Sequence, residues 1–392
     1  MTTPRNLQFS RVQSALQTIY GPISPTSIQT PSTWTPPQSS GGHKGRYLWT
    51  DAFGVLNLLT LHTESNRSSS SSSSQLEPGP GTGNRNNKHY LILAARLIET
   101  VHDILGRTRD GTTRLPGATD NNPLGGGLRI GKVDESGRDG DGQYHHYLTL
   151  WMFALNRMSV ACGDAKYNRQ AISLAKAIHG AFFVNRGSEN PRMVWKMDMG
   201  LSRALVGSEG NLDPIDGYVI FRILQAAAAA VQDGEEGGDV LAEEIEDYKR
   251  VMKRKGEHFV SSDPLDLGMT LWTAHWAVDE EWAGKLAERC FEQIYELFEI
   301  ERYFERRPKY RLAFREFGTA MGMRCMAEQD SEKERSVDLK VYADRILAAW
   351  EPYMEGEGAA PEDLRPITRV MYASAVIPGA FQRGYLGPEP RL

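Results

Sequence analysis

The chain has 392 residues, 40% hydrophobic and 24% charged, and its 45 basic and 50 acidic side chains leave a formal net charge of −5. This composition is ordinary for a globular protein with a large core, and it lacks the basic stripe and signature motifs of a nucleic-acid binder. Cys162, Cys290 and Cys325 are an odd, widely spaced set, so no disulfide framework is expected and a reducing, cytoplasmic setting is.

The amino-terminal stretch "MTTPRNLQFSRVQSALQTIYG" lacks the basic-then-apolar order of a secretory signal, and residues 6–20 within it read as a helix. No window reaches the roughly 18 uncharged apolar residues of a membrane span. From there two kinds of helix alternate. Residues 47–61, 143–158, 214–231, 267–278, 311–326 and 367–377 are apolar almost all round, as in a helix enclosed by others. Residues 88–105, 165–183, 239–259, 280–300 and 337–354 are amphipathic, as in a helix with one face to water. The helix at 6–20 supplies the sixth outer member and is expected to close the ring beside the last inner helix. No run of alternating β-branched residues competes with this reading. The expectation is an all-α, (α/α)6 barrel over residues 1–392 as a single domain. A serine-rich segment at 64–87, containing "SSSSSSS" (68–74), is expected to be a disordered insertion.

The phrases "YLWTDAFGV", "DGQYHHYLTLWMFAL" and "DPIDG", set on this alternation, resemble those of poorly characterised members of the six-hairpin glycosidase-like superfamily. The resemblance covers most of the chain apart from the serine tract. It implies the toroid fold and a glycoside hydrolase-like activity on a saccharide, and it is architectural, assigning no catalytic pair.

Loop lengths indicate where function lies. Segments leading into inner helices are long (21–46, 106–142, 184–213, 301–310 and 355–366), whereas those leaving them are mostly short. Long ordered loops on a rigid scaffold carry binding and catalytic groups, so the amino-terminal ends of the inner helices are the face to search.

In "GRDGDGQYHHYLTLWMFALNR" (137–157), Asp139 and Asp141 precede an inner helix, and Tyr144, His145 and His146 occupy its first turn. Either aspartate could simply cap that helix. The two histidines point about 100° apart, so at most one faces the cavity, and His145 is carried as the candidate. "LDPIDG" (212–217) and "SDPLDL" (262–267) both set Asp-Pro-x-Asp before an inner helix, a capping pattern. Asp213 and Asp216 gain weight from the long polar loop before them, which also supplies Asp198 and Arg203; the second copy follows a short loop and reads as scaffold. Asp51 lies among Leu48, Trp49, Phe53 and Val55, where a carboxylate needs a partner or a proton. The same logic selects Arg315 and Glu316, and Trp272 and His275. "GGLRIGK" (126–132) imitates a phosphate loop, but Val133 stands where a Ser or Thr is required and no helix follows; its Arg129 and Lys132 are read as cationic ligand contacts. Neither the cysteine spacing nor any H-E-x-x-H motif suggests a metal, and no cofactor is implied.

The expected function is a carbohydrate-active, glycoside hydrolase-like enzyme, with Asp141, Asp198 and Asp216 as the leading acid–base candidates. Asp51, Arg129, Lys132, Tyr144, His145, Arg203, Asp213, Trp272, His275, Arg315 and Glu316 are the expected sugar contacts. Two rivals stand beside it: a cytoplasmic sugar epimerase or isomerase using histidine, and a noncatalytic binding or scaffold protein. The expected partner is a small saccharide, with neither nucleic acid nor membrane; the sequence does not specify an oligomeric state.

Overall fold

The alternation of enclosed and one-sided helices becomes two concentric rings in the computed structural model, which describes residues 4–38, 43–72, 88–137, 139–231, 239–329, 334–354 and 362–392. The inner ring comprises α2 (Leu48–Ser72), α4 (His145–Cys162), α6 (Asp213–Val231), α8 (Pro264–Trp276), α10 (Ala313–Gln329) and α12 (Arg365–Val376). Each packs on the next, and α12 returns to α2. The outer ring comprises α1 (Arg5–Tyr20), α3 (His89–Leu105), α5 (Lys166–His179), α7 (Ala242–Val251), α9 (Glu281–Tyr295) and α11 (Glu334–Met354). Five of these pack on the inner helix that precedes them, while α1 packs on α12 and α2 and closes the ring. The result is an (α/α)6 toroid.

The sequence pattern explains the layering. Every residue of α4 from Leu148 to Met158 is buried, which only a helix surrounded by others can achieve. Outer α5 instead buries Tyr167, Asn168, Ala171, Leu174, Ala175, Ile178 and His179, a stripe at helical spacing. The closing helix α1 buries Val12, Ala15, Leu16, Ile19 and Tyr20 in the same way. Helix α6 is long and apolar enough by composition to cross a membrane, but it serves as an inner helix packed on α4, α5, α7 and α8. The tightest crossing, α8 on α10, depends on glycine: a Cβ on Gly268 would lie 2.3 Å from the Gly318 carbonyl oxygen, and one on Gly322 would lie 1.9 Å from that of Gly268. The backbones therefore touch, and any side chain at these positions would drive the helices apart.

Three features depart from the sequence pattern. Helix α2 continues to Ser72, so residues 64–72 belong to the barrel rather than to an insertion. Glu64 explains why, because it pairs with Arg5 and Arg67 and accepts a hydrogen bond from Tyr385 at 2.6 Å, fixing that turn between α1 and the C-terminal segment. Residues 73–87 of the expected insertion lie outside the described residues. Two short antiparallel ribbons also form. β1 (Gln143–Tyr144) pairs with β4 (Lys196–Met197), and β2 (Phe183–Val184) with β3 (Arg192–Met193); two-residue strands carry no readable period. Finally, residues 377–392 fold back into the barrel. The Phe381 ring meets Phe53, Phe153 and Trp272, and its carbonyl accepts hydrogen bonds from the indoles of Trp272 and Trp276. This plug closes the carboxyl-terminal end of the inner ring.

Candidate active site

The opposite end is open. A cavity of about 490 Å³ is lined from the starts of α2 (Tyr47, Thr50), α4 (Tyr147), α8 (Leu265), α10 (Phe314, Arg315) and α12 (Pro366, Ile367), and from the loop before α4 (Lys132, Asp139). That volume lies within the roughly 300–1,000 Å³ of small-molecule sites. The Tyr47 and Tyr147 hydroxyls meet at 2.8 Å. Burial pushes the Tyr47 phenol up to about 12 and holds that of Tyr147 well above the ordinary tyrosine value, so both remain protonated. A smaller cavity of about 290 Å³ lies at the plugged end. Its charged groups Arg157 and Glu389 pair with each other, so the mouth is the stronger candidate.

Behind Tyr147, whose ring lies 6.4 Å from that of His146, three inner helices bring together groups suited to proton transfer. His146 in the first turn of α4 lies with its ring 4.7 Å from the Trp49 ring of α2. Its Nδ1 donates to Asp216 Oδ2 on α6, while Asp216 Oδ1 is hydrogen-bonded to the Thr273 hydroxyl of α8 at 2.8 Å. Among the described residues, His146 Nε2 has no hydrogen-bond partner, and it is itself buried. Burial acts to lower the affinity of the His146 ring for its proton. Asp216, and then Asp213 and Asp266, more than reverse this and hold the imidazolium above the ordinary histidine range. Asp266, in the first turn of α8, has its carboxyl held above the usual range by burial and by Asp263, against the pull of Asn211, Ser261 and His146. The carboxylates of Asp216 and Asp266 thus lie on neighbouring helices in unlike surroundings.

Of the three leading candidates, only Asp216 stands in this constellation. Asp141 is buried and saturated. It accepts from Arg129 Nη1 at 2.5 Å, Arg109 Nη1 at 2.9 Å, and the backbone N–H groups of Gly131 and Gly142 at 3.0 Å and of Lys132 at 3.4 Å. The segment that imitates a phosphate loop therefore binds the chain's own carboxylate. Gly131 takes part at a φ of +83°, where a Cβ would lie 2.1 Å from the Arg46 carbonyl oxygen. Arg129 is consumed in the same knot, its remaining donors capping the carbonyls of Arg107 and Ile104. Asp198 organises a turn, accepting from the Ser202 amide and hydroxyl at 2.7 and 2.6 Å and from the Arg203 amide at 3.3 Å. Burial would raise its carboxyl, but these hydrogen bonds prevail and lower it. The Arg203 side chain is exposed on that turn.

The expected sugar contacts divide sharply. Lys132 and Arg315 line the cavity, Arg315 also pairing with Asp263. Tyr144 stands at its edge, with Lys196 Nζ 5.0 Å and Lys132 Nζ 5.9 Å from its ring; burial first, then Tyr147 and the nearby aspartates, raises its phenol. Besides Arg129 and Arg203, the other six lie elsewhere. His145 faces the outer layer, meeting the Tyr248 hydroxyl at 2.6 Å and the Phe182 ring. Asp213 lies 3.2 Å from His145 Nδ1, outside hydrogen-bond geometry. Asp51 joins α2 to α1 through Tyr20 at 3.0 Å and Arg46 at 3.3 Å, and burial raises its carboxyl. Glu316 is held by Arg311 and by the Trp350 indole at 2.8 Å, joining α10 to α11. Trp272 packs on the plug, and His275 accepts the Arg383 amide at 3.1 Å, its ring pushed down to about 3 by burial. Asp51, Glu316, Trp272 and His275 are polar or aromatic groups in apolar helices, and each meets a partner from the outer ring or the plug.

Three site residues were not anticipated: His146, Asp266 and Thr273. The signal for Asp266 was present in the repeated Asp-Pro-x-Asp. In the second copy Asp263 is the cap, accepting from the amides of Leu265 and Asp266, which leaves the Asp266 side chain to accept from Asn211 Nδ2 at 3.3 Å. His146 could be told from His145 only by phase. His146 is two turns before Phe153, which meets Trp272 and Phe381 on the axis. His145 is three turns before Asn156, which bonds Asn168 in the outer ring at 2.8 Å.

No family model matches the chain, and no curated protein sequence matches it. Solved structures do resemble its fold. A family 76 glycoside hydrolase from a bovine Bacteroides thetaiotaomicron strain superposes with a TM-score of 0.50 at 10% identity, over 96% of this chain and 78% of that one. A family 76 α-mannanase of Bacteroides thetaiotaomicron gives 0.51 at 7% identity, over 95% and 96% of the two chains. A family 76 mannosidase of the same species gives 0.50 at 11%, over 95% and 98%. The shared property is the six-hairpin toroid.

Proposed function

We propose that this protein is a carbohydrate-active enzyme of glycoside hydrolase type, acting on a saccharide bound at the barrel mouth, with Asp216 and Asp266 as the carboxylates its chemistry requires. Glycoside cleavage needs a proton delivered to the leaving oxygen and an anion to activate water or steady the oxocarbenium-like centre. The observation that carries the reading is the unlike setting of the two carboxylates. Asp216 is clamped between His146 and Thr273, whereas burial holds the Asp266 carboxyl up. Environments that separate acid from base in this way are how one site runs both halves of the reaction near neutral pH. Tyr47, Tyr147, Lys132 and Arg315 supply hydroxyl, ammonium and guanidinium donors around the cavity, a set suited to sugar hydroxyls.

The test is turnover on a panel of aryl glycosides and oligosaccharides, with α-mannosides first because similar folds include a mannosidase and an α-mannanase. Cleavage by the wild type, lost in Asp266→Asn and Asp216→Asn, supports the reading; no release of sugar from any member rejects it. The His146 ring favours one second reading, a sugar epimerase or isomerase that moves a C–H proton through imidazole. Incorporation of solvent deuterium into a monosaccharide, without glycoside cleavage, would select it.

A further inference from the structure

A carboxylate whose two oxygens are both engaged is poorly placed to approach a substrate, and Asp216 is in that position. Oδ2 accepts from His146 Nδ1 and Oδ1 is hydrogen-bonded to the Thr273 hydroxyl. Because a carboxylate can only accept, the Asp216 contact fixes the Nδ1–H form of the ring and leaves Nε2 on its far side. That nitrogen is buried and without a partner, a costly condition for a polar atom unless something else meets it. The Trp49 ring lies 4.7 Å from the His146 ring, tilted by 42°. An oriented imidazole with one nitrogen tied to a carboxylate and the other unoccupied is an arrangement for moving a proton.

Resting on the glycosidase reading, we propose that the proton given to the leaving oxygen comes from Nε2 of His146, with Asp216 as the residue that positions the ring and Asp266 as the base. The imidazolium transfers its Nε2 proton to the glycosidic oxygen as the bond to the anomeric carbon breaks. Water attacks that carbon and passes a proton to the Asp266 carboxylate, and solvent returns the proton from Asp266 to His146. The net change is one glycoside and one water converted to a free sugar and an alcohol. The groups facing the ring suit the role: Asp216 and Asp213 from α6, Asp266 from α8, Tyr147 from its own helix and the uncharged Trp49 from α2.

The experiment compares methyl α-mannoside, whose leaving group needs a proton, with 2,4-dinitrophenyl α-mannoside, whose leaving group does not. His146→Gln should lose about 100-fold or more in kcat on the methyl glycoside and no more than about fivefold on the dinitrophenyl one, the scale and selectivity of a removed general acid. The alkaline limb of the kcat/KM profile should vanish in His146→Gln and move to lower pH in Asp216→Asn, which removes the charge that holds the proton on the ring. Equal losses on both substrates, or a leaving-group-selective loss in Asp266→Asn instead, would overturn the assignment while leaving the glycosidase reading intact. If another sugar of the panel is the one cleaved, the same pair of leaving groups is compared on that sugar, and release of sugar from no member of the panel would reject the glycosidase reading first and this one with it. Nitrogen-15 imidazole spectra of the wild type give a readout independent of turnover and of variant folding. A His146 resonance titrating above the ordinary histidine value with Nδ1 protonated agrees with the proposal, and one titrating below it, or protonated on Nε2 alone when neutral, overturns it.

Discussion

Asp141 and Asp216 stand at the same end of the barrel, each at the start of an inner helix, and are almost equally buried at 2% and 1% exposure. Their partners separate them. Asp141 faces two guanidinium groups and three backbone amides, donors that never lose their protons in the working pH range. Asp216 faces a hydroxyl and an imidazole, and the imidazole titrates. A buried carboxylate among permanent donors locks a loop, whereas one beside a titratable ring relays a charge change to whatever the ring touches. Burial is common to both, so burial by itself was no guide to function.

The largest expected effect is on Asp216. Asp216→Asn should cut kcat by about 100-fold or more, because it removes the charge and the hydrogen bond that hold the His146 proton-transfer ring, with a change in unfolding free energy of no more than about 1–2 kcal/mol for one altered hydrogen-bond partner; turnover assays beside urea titrations measure both. Asp141→Ala should show the reverse pattern. It strands the Arg129 guanidinium in the interior, and removing one partner of a buried pair costs about 3–5 kcal/mol, while kcat per folded molecule stays at the wild-type value. A folded, fully stable Asp141→Ala with no turnover would erase the contrast between the two aspartates.

The pH dependence sharpens it further. The folded value of His146 is raised above that of the unfolded chain, so its contribution to stability is complete below the unfolded histidine value, near 6.5, and is lost as pH rises through the folded value. The stability difference between wild type and His146→Gln should therefore narrow on the alkaline side, as followed by denaturant titration at several pH values. The corresponding difference for Asp141→Ala should stay level across the same range. The smallest effect belongs to Asp263→Asn, since Asn caps a helix about as well as Asp and its half-exposed pair with Arg315 contributes roughly 0–1 kcal/mol; thermal melting should scarcely move.

The repeated Asp-Pro-x-Asp shows how much of the site could be read from the chain. The cap is a local device, needing only an acceptor before two free amides, and Asp263 performs it as its sequence indicates. Which way the second aspartate points depends on neighbouring helices. Loop length pointed to the end where the 490 Å³ cavity lies, yet it favoured Asp198, whose carboxylate its own turn consumes.

The sequence by itself determined the layers. Helices apolar on every side must be enclosed, and helices apolar on one stripe must cover them, so the order of inner and outer members, the closing role of residues 6–20 and the open end followed from hydrophobic period and loop length alone. It could not determine the facing of side chains within an inner helix, because a helix apolar all round has no phase to read. Only packing against α2, α6 and α8 decided that His146 rather than His145 meets the axis, and only the folded-back segment at 377–392 decided that Trp272 and His275 face a plug rather than a ligand.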